Sequence, residues 1–210
     1  MINILIADDH TVVRQGLKQI LSRDKQMSVV AEAANGNEVL RALEHAKVDV
    51  LILDITMPGR NGLDVLKEVK RSYPTLPVLV LSMHPEDQFA IRMLRAGASG
   101  YITKESAPEE LVQALRKVCG GRKYVSPQLA ERLAVFIEDD DTRAPHERLS
   151  DREFEILRML ALGKTVTEVA DELLLSVKTI STYRSRVLDK MKMTTNAELT
   201  RYALQSGLIN

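Results

Sequence analysis

The sequence predicts a doubly wound α/β domain built on a five-stranded parallel sheet, followed by a small all-α domain of four helices. Three observations carry this prediction. Short apolar runs alternate with segments of helical period through the first half of the chain. Several of those runs end on an acid or a hydroxyl. Past Gly120 and Gly121 the strand pattern stops and only helical periods follow.

Five runs read as strands: NILIA (3–7), SVVAEA (28–33), DVLIL (49–53), PVLVLS (77–82) and GYIT (100–103). They are short, aliphatic and β-branched, and the unbroken ones suit strands buried on both faces. Between them, Val13, Leu17, Ile20 and Leu21 recur at helical spacing. Leu63, Leu66 and Val69 do the same ahead of Tyr73 and Pro74, and Leu111, Leu115 and Val118 ahead of the Gly pair. Strands alternating with helices imply parallel βαβ units. Residues 126–148, SPQLAERLAVFIEDDDTRAPHER, read as a short helix running into an acidic, proline-containing linker. From Leu149 the chain is helical, opened by Ser150 at capping-box spacing from Glu153 and broken at ALGKT (161–165) and LLLSVKT (173–179). The expected boundaries are a first domain over 1–122, a linker with a short helix over 123–147, and a second domain over 148–210.

Composition narrows the class. At 210 residues, 45% hydrophobic and 28% charged, the chain can bury two modest cores. A single cysteine, Cys119, excludes an internal disulfide framework and suits a reducing compartment. No apolar run approaches the roughly 18 residues of a membrane helix, and MINILIADDH meets two acids too early for a signal peptide. A soluble, cytoplasmic protein with no membrane partner is expected. The net charge of zero conceals a pattern: 1–124 carry +2, 125–145 carry −3 and 146–210 carry +1. Within the last stretch, SVKTISTYRSRVLDKMK (176–192) holds five basic residues against one acid. Such clustering on one element matters more for a nucleic-acid surface than the overall charge does.

The strand ends carry the chemistry. Asp8 and Asp9 follow the first strand, Asp54 the third, Ser82 ends the fourth and Lys104 follows the fifth. In a parallel sheet these ends lie side by side, and ligands bind there, at the switch point in strand order. Singly, each has an ordinary reading as a loop or capping residue; His10 and His84 read as loop residues. Together the acids pose a problem, because three adjacent carboxylates repel and at least one pKa rises. A hard divalent cation removes the difficulty, and Mg²⁺ with carboxylates, water and phosphate is the natural choice. Lys104 adds a mobile point charge for phosphoryl oxygens, and Ser82 a hydroxyl. Pro58, Gly59 and Gly62 read as turn residues.

ADD, LDITMPGRNG, LS and YITK, in that order, resemble the receiver domain of two-component response regulators, a flavodoxin-like fold. The resemblance implies that Asp54 accepts a phosphoryl group from a sensor histidine kinase. It implies that Asp8 and Asp9 hold Mg²⁺ with Asp54 and the backbone carbonyl of Thr56, and that Lys104 pairs with the phosphoryl group. Ser82 would move toward that group and Tyr101 would swing inward. His84 and Thr56 would flank it and tune its slow hydrolysis.

The tail, from Leu149 and Arg152-Glu153 through Gly163, Glu168-Val169-Ala170, Ser176, Thr179-Ile180 and Lys190-Met191, is similar to the LuxR/FixJ-type helix-turn-helix. Ile180, Tyr183, Val187, Leu188 and Met191 would pack inward; Lys178, Ser181, Thr182, Ser185 and Lys192 lie on the other face. A helix so built enters a major groove of double-stranded DNA, with Lys178, Thr179, Ser181, Thr182 and Ser185 toward it. Arg184, Arg186 and Lys190 would meet phosphates. Ser181, Thr182 and Ser185 are neutral where relatives often carry basic residues, so direct arginine readout of guanine from them is excluded. The last segment, NAELTRYALQSGLI (196–209), shows an apolar face of Leu199, Ala203 and Leu204, suited to pairing two domains or to plain core.

Both resemblances together imply the NarL/FixJ subfamily: a transcription regulator, dimeric when phosphorylated, with RNA polymerase a further possible partner. Rivals are weaker. An aspartate-nucleophile phosphatase of the haloacid-dehalogenase kind needs a second acid two residues past the nucleophile, where Thr56 stands, and a cap domain. A nucleotide-binding module needs a Gly-rich loop after the first strand. A receiver that signals without phosphate remains open.

Overall fold

The computed structural model describes residues 1–57, 62–83, 86–138 and 144–209, with backbone alone for 86–89, 132 and 134–138. The chain divides into two compact units, Met1–Leu133 and Ala134–Asn210.

In the first unit, β1 (Ile2–Ala7), β2 (Met27–Ala33), β3 (Val50–Asp54), β4 (Val78–Ser82) and β5 (Gly100–Thr103) form one parallel sheet in the order β2-β1-β3-β4-β5. β3 and β4 are buried at every residue, which is why they read as unbroken apolar runs. The helices are α1 (Thr11–Leu21), α2 (Gly36–His45), α3 (Gly62–Ser72), α4 (Glu86–Arg95) and α5 (Ala107–Cys119). Alternate strand residues feed two cores. Leu5, Leu51, Leu53, Val78 and Val80 pack with α2, α3 and α4 residues such as Val39, Leu66 and Met93. Ile4, Ile6, Val50, Ile52, Leu79 and Leu81 pack with Leu17 and Leu21 of α1 and Leu111 and Leu115 of α5.

α6 (Pro127–Glu138) begins inside this unit. Leu129 is buried in the first core, with Val125 and Leu133 packed against it. The segment expected to be linker over 123–147 is therefore split: its start is folded onto the sheet, where Tyr124 pairs with Gly100.

The second unit holds a short 3-10 turn, Pro145–Arg148, then α7 (Asp151–Ala161), α8 (Val166–Glu172), α9 (Val177–Met191) and α10 (Asn196–Gln205). α8, α9 and α10 each pack on α7 or on one another around Phe154, Leu157, Val169, Ile180, Val187 and Leu199. Ser150, Thr165 and Thr195 open α7, α8 and α10 as capping boxes with Glu153, Glu168 and Glu198. Leu199 and Ala203 are fully buried in this core, whereas Leu204 is exposed.

Candidate functional site

Strand order reverses between β1 and β3, and the register there pairs Ala7 with Leu53. The residue after β1, Asp8, thus comes level with Asp54 at the end of β3, at the place where such sheets bind ligands. Asp8, Asp54 and Ser82 are all buried; Asp9 is partly exposed and Thr56 exposed. Lys104 reaches in from beyond β5, its own N–H donating to the Ser82 carbonyl at 2.7 Å. Its Nζ lies 2.6 Å from Asp8 Oδ2 and 2.7 Å from Asp54 Oδ2.

The carboxylates are held from several sides. Thr56 N–H donates to Asp54 Oδ1 at 3.1 Å, and His10 N–H to Asp8 Oδ1 at 2.8 Å. Burial raises the Asp54 pKa above the usual carboxylate value; Lys104 and the Thr56 amide oppose the rise without cancelling it, and Asp8 adds to it. Burial alone would lower the Lys104 ammonium, but the Asp54 and Asp8 carboxylates outweigh it and hold its pKa above the ordinary lysine value.

One cation does not satisfy these acids. Asp8 Oδ2 and Asp9 Oδ1 are buried without a hydrogen-bond partner. Lys104 is close to the first and His10 Nδ1 lies 2.8 Å from the second, yet neither approach is aligned as a hydrogen bond. Ligand atoms of Asp8, Asp9, His10 and Asp54 all lie within 4.8 Å of one another. Orphaned carboxylate oxygens at that spacing fit a hard divalent cation. His10, read from the sequence as a loop residue, belongs to this cluster; its neighbourhood with two acids was the available signal.

Two further features shape the pocket. A Cβ on Gly62 would sit 2.4 Å from Ile55 Cα and 2.8 Å from the Asp54 carbonyl oxygen. Gly62 is thus the first residue of α3 and a packing requirement behind the end of β3, rather than a turn residue. Tyr101 is fully buried in the core, so its ring already occupies an inward position. Pro58, Gly59 and His84 lie outside the described residues.

On α9, Ile180, Val187, Leu188 and Met191 are buried and Tyr183 half-buried, while Lys178, Ser181, Thr182, Ser185 and Lys192 are exposed. Ser176 caps the helix by accepting from Thr179 N–H at 3.0 Å. The Thr182 and Ser185 hydroxyls donate back to the Lys178 and Ser181 carbonyls, leaving their lone pairs outward. The basic residues divide into two kinds. Lys190 Nζ donates to Glu153 Oε2 at 2.7 Å, and Arg184 Nε to Asn196 Oδ1 at 2.7 Å, so both hold this unit together. Arg186 lies over the Tyr183 ring and Lys178 is exposed at the helix start.

Residues 4–116 match the family described as response regulator receiver domain, and residues 147–203 the family described as bacterial regulatory proteins, luxR family. The chain is 37% identical over its full length to the response regulator UvrY of Escherichia coli (strain K12), covering 97% of that protein. It is 38% identical over its full length to the response regulator GacA of Pseudomonas aeruginosa, covering 99% of it. Among solved structures it resembles RcsB from Salmonella enterica serovar Typhimurium bound to promoter rprA in the presence of phosphomimetic BeF3-. There the TM-score is 0.73 at 30% identity, over 96% of this chain and 98% of that one. Among the described residues no helix is long and apolar enough to cross a membrane.

Proposed function

We propose a phosphorylation-gated mode of action from one premise: the chain belongs to the two-component response regulators with a LuxR-type DNA-binding domain. It is a transcription regulator. Asp54 is the phosphoacceptor, supplied by a sensor histidine kinase in the cytoplasm. Asp8, Asp9 and Asp54, with the Thr56 carbonyl, hold Mg²⁺, which supplies charge neutralisation for the incoming phosphoryl oxygens. Lys104 pairs with the phosphoryl group, and Ser82 and Tyr101 register its arrival. The acyl phosphate is hydrolysed slowly, so the protein switches rather than turning over substrate.

The observation that carries this reading is the convergence of Asp8, Asp54 and Lys104 within hydrogen-bond range at the strand-order reversal. Phosphate at Asp54 interacts differently with the two receiver states and so shifts their populations. The phosphorylated protein dimerises and presents two copies of α9 to half-sites about one helical turn apart, roughly 34 Å. Lys178, Thr179, Ser181, Thr182 and Ser185 face the groove; Arg186 meets phosphates, with Arg184 and Lys190 at its flank. Of the segment 123–147, the part after Leu133 serves as the linker between receiver and output domains, and RNA polymerase is the downstream partner.

The test is sizing in solution with Mg²⁺, with and without beryllium fluoride, on wild type and Asp54→Ala. A shift to dimer, and tighter promoter binding, in wild type alone is expected. A shift in both proteins, or in neither with unchanged promoter binding, refutes the assignment of Asp54.

A further inference from the structure

The acid pocket sits at the carboxyl ends of the strands, and the opposite rim of the sheet has a charge problem of its own. A cleft of about 360 Å³ opens beneath the amino ends of β4 and β5, lined by Lys70, Thr75, Pro77, Ser99, Arg122 and Lys123, among others. Lys70 closes α3 and Lys123 follows α5, so two helix ends deliver cations to one place. The Lys70 ammonium donates to the Leu76 carbonyl at 2.5 Å, and the Lys123 ammonium to the Ala98 carbonyl.

These carbonyls orient the lysines without neutralising them, and each ammonium keeps two further N–H donors. Among the described residues no carboxylate pairs with Lys70, Arg122 or Lys123. Burial pushes the Lys70 ammonium below the ordinary lysine value, and the nearby charge of Lys123 pushes it further; burial lowers Lys123 as well. A surface lysine with freedom to move would swing away from a like charge. Lys70 is restrained, because its stem packs on Gly97, where a Cβ would lie 3.0 Å from Lys70 Cγ. Lys123 is restrained by the backbone on its C-terminal side: Tyr124 N–H donates to the Ser99 carbonyl and Tyr101 N–H to the Tyr124 carbonyl.

We propose that this cleft binds a small phosphate-bearing solute, held between the Lys70 and Lys123 ammoniums with Arg122 at its rim. Two fixed cations facing an open cleft are stabilised by a dianion, and the guanidinium fork of Arg122 suits phosphate oxygens. The cleft takes a diphosphate-sized group rather than a polymer. Its position, across the sheet from Asp54, makes it independent of the phosphoryl site.

The experiment titrates the full chain with pyrophosphate by calorimetry, without Mg²⁺ and at constant ionic strength, with inorganic phosphate and citrate as parallel arms. Saturable pyrophosphate binding is expected, unchanged in Asp54→Ala and in the Lys178→Ala/Arg186→Ala variant. Lys70→Met/Lys123→Met, which keeps the apolar stems, should weaken it about tenfold or more, the loss of one to two charge-assisted hydrogen bonds. Should that variant fail to fold, Arg122→Ala at the exposed rim gives a smaller loss in the same direction. Absence of saturable binding, binding lost in the α9 variant instead, or citrate bound as well as pyrophosphate would each overturn the proposal.

Discussion

Lys190 separates two accounts of one basic residue. From the sequence it flanks a DNA groove; in the structure its ammonium donates to Glu153 Oε2, the oxygen that also accepts from Ser150 N–H at the start of α7. The Glu153 side chain is 4% exposed and that of Lys190 44%. Lys190→Met removes one hydrogen bond to a charged acceptor, about 1.5–3 kcal/mol. Water entering from the half-exposed lysine side recovers part of this, leaving a loss of about 1–2 kcal/mol. For a unit of this size that is a fall in melting temperature of about 4–16 °C, read as the output-unit transition in calorimetry of the full chain.

The pH dependence checks the same pair. Burial raises the Glu153 pKa, but the Lys190 and Ser150 hydrogen bonds outweigh it, so the folded-state pKa lies below the ordinary glutamate value of 4.5. A depressed carboxylate contributes stability that is present above its unfolded pKa and lost as pH falls through the folded one. The wild-type unit should therefore lose stability below about pH 4.5 more steeply than Lys190→Met does. If instead Lys190→Met leaves the melting temperature and acid sensitivity unchanged, and only lowers the salt dependence of DNA binding, the ion pair is incidental and the groove-flanking account stands.

Other consequences follow from single contacts. Gly62→Ala drives a methyl into the Ile55 and Asp54 backbone, so it should cost about 1–3 kcal/mol in the receiver unit's stability, measured by urea unfolding, and should slow phosphorylation by a small-molecule phosphodonor. Arg186→Ala, which breaks no internal hydrogen bond in the described structure, should leave thermal stability unchanged and reduce the slope of log K against log salt for promoter binding by about 0.9.

Much of this architecture was legible because burial on two faces leaves a strong mark. The strand runs fall within a residue or two of β1 to β5, and Leu17, Leu21, Leu66, Val69, Leu111 and Leu115 are core residues. α2 left a weaker mark: its buried stripe is Gly36, Val39 and Leu43, too sparse to stand out as a period. The 3-10 turn at Pro145–Arg148 reads as linker from its charges, yet His146 Nδ1 lies 2.7 Å from the Tyr202 hydroxyl. Such a contact spans most of a domain and has no local signature. The same holds for Lys190 and Glu153. Helical spacing shows which face a side chain leaves from, and a long side chain still has a choice of partners across that face.

The receiver pocket shows why its residues were easier to read than those of α9. Asp8, Asp54 and Lys104 are placed by strand ends, where the backbone register fixes the side chain's position almost completely. Lys104 there donates a hydrogen bond to Asp54 at 2.7 Å and lies 2.6 Å from Asp8 Oδ2 as an ion pair, while Asp8 Oδ2 and Asp9 Oδ1 have no aligned hydrogen-bond donor. This arrangement is neither a spare surface cluster nor a closed salt bridge. A cation bound by the acids would relieve their repulsion and weaken their hold on Lys104, releasing its ammonium toward an anion on Asp54. Metal and phosphoryl group would then support each other through one lysine, and Lys104→Met should weaken the beryllium fluoride response more than it weakens Mg²⁺ binding. Equal losses in both would mean that Lys104 only braces the acids.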